Sequence, residues 1–185
     1  MNAISLLYQT VYVLGQLCLF RVKTSAVPFS WAVLFILVCI DCSVDIYHLN
    51  AVRLSLAKAE PPVLLSVAEC YIGAILSITL FIAASYLLLA QRKLAPRLNK
   101  FLIALFGTEL ILTAIWQLLA SVTGAEAAPY IQLTITAWRL AIQIQITQQT
   151  FEVKVGQAIL LLFTILLAAS LPLMMIAGMN SPANS

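Results

Sequence analysis

Five apolar stretches divide this chain: Ala26 to the mid-forties, Val63–Ala90, Leu98–Val122, Pro129–Thr150 and Val155–Ala177. The breaks between them are too short to hold a soluble domain. A helix rises 1.5 Å per residue, so about 20 apolar residues cross the ~30 Å of hydrocarbon in a bilayer, and each stretch has that length. Only 9% of the 185 residues are charged and 63% are hydrophobic. A soluble domain carries about 25% charged residues, because its surface must be solvated. The expected fold is therefore all-α: a polytopic membrane protein with five transmembrane helices, its principal partner the lipid bilayer.

The division by residue is 1–24, an N-terminal helix; 25–178, the five-helix bundle; and 179–185, a short polar tail. In the first segment Ser5, Gln9, Tyr12 and Gln16 recur at steps of 4, 3 and 4, which puts them on one helical face. With Arg21 and Lys23 directly after it, the segment reads as an amphipathic helix lying in the interface, with a sixth span as the alternative. No basic residue precedes the apolar run and no small-residue cleavage site follows it, so a secretory signal peptide is not expected.

Loop charge sets the orientation. Arg21, Lys23, Arg92, Lys93, Arg97, Lys100 and Lys154 fall on one side of the five spans, and only Arg53 and Lys58 on the other. The positive-inside rule puts the first side in the cytoplasm, with the N-terminus cytoplasmic and the C-terminus external.

Two charges interrupt the spans themselves. Glu109 lies about 12 residues before the outer end of the third stretch, and Arg139 about 10 residues into the fourth, so both sit roughly 15–18 Å from the outer surface. A charge in hydrocarbon costs about 2.5–3.5 kcal/mol on insertion scales and is normally paired or functional. Helices joined by a short loop pack as neighbours, so Glu109 and Arg139 are expected to form a buried ion pair. Gln132, Thr136, Gln143, Thr147 and Thr150 share the face of Arg139, making a polar stripe along the fourth span. Such a stripe must be satisfied by interhelical hydrogen bonds, a partner or water.

Near the outer surface Asp41, Asp45 and His48 follow one another at helical spacing, with Glu69 at similar depth. Carboxylates and an imidazole can hold a divalent ion. The chain has a single His and no repeated Glu-x-x-His, so the group reads as a polar helix end, and no metal or cofactor is expected. Cys39 and Cys42 form a C-x-x-C inside a span, away from the helix N-terminus that activates a redox thiol, and with Cys18 and Cys70 they read as small buried side chains. No basic-aromatic tract suggests nucleic acid. No catalytic serine arrangement, HExxH or phosphate-cradling glycine loop is present, and no catalytic residue is expected.

The five spans, the cytoplasmic N-terminus, the external C-terminus and the basic turn between spans two and three resemble the Yip1-domain family of small polytopic membrane proteins. The segment Arg97-Leu-Asn-Lys-Phe-Leu-Ile-Ala-Leu-Phe-Gly-Thr-Glu-Leu-Ile-Leu is similar to one in small bacterial inner-membrane proteins of this type, which implies a bacterial inner membrane. The resemblance implies no catalytic residues, and the long hydrophilic N-terminal region of eukaryotic members is missing. The leading expectation is a non-enzymatic structural or assembly subunit, forming a homo-oligomer or joining another membrane protein. A transporter or channel component using the polar stripe is the alternative, and a metal- or thiol-dependent intramembrane enzyme the second.

Overall fold

A computed structural model describes residues 3–56, 66–123 and 127–179, with side chains described from 5 to 47 in the first segment. Among them the chain is entirely helical. Six α-helices, α1 (Ala3–Cys18), α2 (Trp31–Leu56), α3 (Val67–Gln91), α4 (Leu98–Thr123), α5 (Ala128–Phe151) and α6 (Val155–Met179), are joined by short 3₁₀ turns at Thr24–Ala26 and Ala95–Arg97. Among the described residues three stretches are long and apolar enough to cross a membrane: Val67–Gln91, Ala95–Thr123 and Val155–Pro172. Helix α5 is not one of them, because the polar stripe lowers its apolar content.

Local chemistry explains the breaks. Helix α3 opens with a capping box, in which the Ser66 hydroxyl accepts from Glu69 N at 3.2 Å and Ser66 N donates to the Glu69 carboxylate at 2.6 Å. Helix α5 starts with Pro129 in its first turn, where the missing N–H costs nothing. It ends at Glu152 in the left-handed conformation, φ 55°, which stops the helix and lets Val155 begin α6 after a tight turn.

Helix α4 organises the bundle. Phe101 to Phe106, Gly107 and Thr108 are buried on every side, whereas its later turns are only partly covered. The bundle is thus closed around the first half of α4 and looser around the second. Phe101 and Phe151 meet edge to face with ring centroids 5.5 Å apart, both almost fully buried. Around this centre α5 packs on α4 and α6, α3 packs along α6, and α2 touches both α3 and α4. The outward faces of α3 and α6 remain apolar, with Tyr71, Ile72, Leu160 and Phe163 exposed, as suits helices facing lipid.

Helix α1 sits deeper than a helix lying flat across the bundle end. Leu14 fills the space where a Cβ on Gly107 would stand, nine residues or ~13 Å along α4 from Leu98. Val13, Leu17 and Cys18 are buried on the same side, and the Trp138 indole donates to the Cys18 carbonyl at 3.0 Å. Eleven residues later Ser25 accepts from Lys100 at 2.9 Å, near the start of α4. Leu14 and Cys18 are therefore both seated part-way along the bundle, against α4 and α5, and the chain returns to the start of α4 only by Ser25.

A charged crevice at the centre of the bundle

The structure brings Glu109 and Arg139 together, with a guanidinium nitrogen 2.8 Å from a carboxylate oxygen. The guanidinium also donates to the Thr113 hydroxyl at 3.2 Å, and the Gln143 amide approaches the other Glu109 oxygen at 3.4 Å. The Arg139 Nε–H is buried without a partner. One turn of α4 and one turn of α5 supply all four groups, because Glu109/Thr113 and Arg139/Gln143 are each four residues apart.

The pair is not sealed in a dry core. Arg139 is 30% and Glu109 26% exposed, and the space they face is two adjoining cavities of ≈ 350 and ≈ 250 Å³. The first is walled by apolar side chains of α3, α4 and α6, among them Phe81 and Phe106 with centroids 5.7 Å apart. The second reaches Thr113, Gln132 and Thr136. Both are bordered by Asp41, Asp45, Glu109 and Arg139. Two charges that sequence spacing assigned to a polar helix end thus turn into the same crevice as the ion pair. Their spacing of four gave one face of α2, but it could not say which neighbour that face meets. Asp41 is buried and holds no hydrogen bond or ion pair among the described residues.

The remaining expected residues separate. Glu69 belongs to the α3 capping box and is absent from both cavity linings. The His48 side chain lies outside the described residues. Along the stripe, Gln132 and Thr136 are exposed, Arg139 and Gln143 half-buried, and Thr147 and Thr150 buried. The Thr147 hydroxyl turns back to the Gln143 carbonyl at 2.8 Å. The crevice therefore opens toward the start of α5 and closes toward its end, where the Phe101–Phe151 contact lies. The four cysteines are unpaired thiols, Cys18 and Cys70 buried, Cys39 exposed and Cys42 between. Among the described residues no group of three His, Cys, Asp or Glu is placed to hold a metal ion.

The charge balance decides what the crevice can do. The buried Asp41 and the half-buried Glu109 face one guanidinium, a formal net of −1 from Asp41, Glu109 and Arg139, while Asp45 borders the space from an exposed position with an interaction of its own. A carboxylate removed from bulk water must be compensated by a partner, a proton or a bound cation. The cavities are large enough for water or a small solute. No family model matches the chain, nor does any curated protein or solved structure.

Proposed function

We propose that this is a non-enzymatic integral membrane protein that binds a small cation in the central crevice, as a transporter or channel component. The observation that carries the reading is the buried Asp41 carboxylate, which shares with Glu109 a cavity holding one guanidinium. A cation entering from the open end of α5 meets Gln132 and Thr136 first, then the carboxylates, and stops at the closed end. In the assembly-subunit reading the stripe is packed against a partner or within the bundle; the cavities along it favour a solute. The resemblance to Yip1-domain proteins supplies no residue roles to either.

The test uses purified protein in zwitterionic nanodiscs. Organic cations, from ammonium to small alkylammonium ions, are titrated while thermal stability is followed. At least one is expected to raise Tm saturably, by an amount set by its concentration over Kd, and Asp41→Asn is expected to abolish that rise. A wild type indifferent to every cation would sink the reading, and a stoichiometric co-purifying membrane protein would favour assembly.

In this reading α2–α6 are five spans of a bacterial inner membrane, with the basic end cytoplasmic and the C-terminus external. Helix α5 crosses despite its polar residues because they turn to the crevice rather than to lipid. The Leu14–Gly107 contact favours α1 as a sixth inserted helix, which moves the N-terminus to the external side. A single cysteine at Asn2, in a chain whose four native cysteines are replaced by alanine, is expected to react with an impermeant maleimide in intact cells. Labelling only after lysis would instead support a helix lying on the cytoplasmic surface.

A further inference from the structure

A second polar cavity lies at the opposite end of the bundle, and its chemistry is inverted. It measures ≈ 420 Å³ and is bordered by Thr24, Arg97, Lys100, Gln149, Thr150 and Glu152. We propose that it binds a phosphate group, supplied by the headgroup of an anionic lipid.

Donor bookkeeping carries the argument. The Lys100 ammonium has three donors, and one is used, on the Ser25 carbonyl at 2.9 Å. Gln149 Oε1 accepts both the N–H and the hydroxyl of Thr24, at 2.7 and 2.9 Å, which pins the amide and leaves its NH₂ without a partner. The Thr150 hydroxyl is 3% exposed and has no partner. Arg97 spends one nitrogen on Glu152 at 2.6 Å and another on the Thr150 carbonyl at 3.3 Å. Glu152 is the single carboxylate of the lining, and one of its oxygens takes Arg97. Arg97 and Lys100 outweigh it by one formal positive charge, and Lys100, Gln149 and Thr150 keep donors to offer from two chain segments. Phosphate is acceptor-only and matches Arg and Lys donors.

Position selects the source. The cavity lies where Val67–Gln91 ends and where Ala95–Thr123 and Val155–Pro172 begin, the level of lipid headgroups if these helices cross the bilayer. Basic pockets between helices at that level hold anionic headgroups.

The experiment compares full-length protein in phosphatidylcholine nanodiscs, in nanodiscs also containing phosphatidylglycerol, and in phosphatidylcholine nanodiscs with added inorganic phosphate. Phosphatidylglycerol is expected to raise Tm and to be retained in native mass spectra. Lys100→Gln is expected to weaken that retention about fivefold, as one basic residue near the surface contributes, while Lys100→Arg keeps it. Lys154→Gln, at the same end but outside the lining, is expected to leave retention unchanged. Stabilisation by inorganic phosphate alone would retain the phosphate chemistry and assign the free anion as its source. Equal behaviour in both lipids without a phosphate response, or equal weakening by Lys154→Gln, would overturn the proposal.

Discussion

Arg139→Gln is expected to destabilise the protein by about 3 kcal/mol, the lower end of the range for breaking a buried ion pair, because the pair is partly open to the crevice. Glu109→Gln is expected to cost about half as much. The asymmetry follows from the company each residue keeps. Without Glu109, the guanidinium still faces the buried Asp41 across the shared cavities; without Arg139, Glu109 and Asp41 face each other with no guanidinium between them. The double variant Arg139→Gln/Glu109→Gln is expected to recover part of the loss, since it removes one of each sign. Thermal unfolding in detergent, with size-exclusion profiles as the check on folding, measures all three. Equal costs for the two single variants would mean that Asp41 does not share the field of Arg139, and the charge count behind the proposed cation site would fail with it.

That charge count was half legible in the sequence. Depth arithmetic on two adjacent apolar stretches was enough to set Glu109 beside Arg139, since a short loop makes α4 and α5 neighbours. The ends of α4, α5 and α6 fall within two residues of expectation, because Pro129, the basic turn at 92–100 and the tight turn at Glu152 interrupt the apolar pattern sharply. The placement of Asp41 and Asp45 was not legible. Periodicity gives the face of a helix relative to itself, and α2 is separated by a long connection from the helices it meets. The same gap hid the seat of α1: the face carrying Ser5, Gln9, Tyr12 and Gln16 predicts an amphipathic helix equally well on a membrane surface and against a bundle. Only Gly107, a position without a side chain in an otherwise bulky run, hinted that something approaches α4 closely. Glu69 was grouped with Asp41 by depth, although Ser66 three residues before it marks a capping box. The cavity at the basic end is not legible in the sequence because its lining comes from three separate segments.

The Phe101–Phe151 contact lies toward the closed end of the crevice, and Phe101→Ala tests it as the seal. Phe101 is fully buried in the most tightly packed half of α4, so truncation is expected to cost about 3–5 kcal/mol. The cavity left behind would open against Phe151, at the end of α5 that carries the buried Thr147 and Thr150, and polar groups next to a new void admit water where an apolar void stays dry. The expected consequence is a water path from the charged crevice to the basic end. With the native cysteines replaced by alanine, Thr147→Cys is expected to resist a soluble thiol reagent in the Phe101 background and to react in the Phe101→Ala background. Phe101→Leu, which keeps most of the volume, is expected to preserve protection at a cost of about 1 kcal/mol. If Thr147→Cys reacts equally in both backgrounds, the crevice is already open at both ends and the closed-end geometry assigned to it is wrong. If it is protected in both while stability falls as expected, the ring contact is structural, and the seal belongs to the surrounding aliphatic packing of Ile142, Ile146 and Leu102.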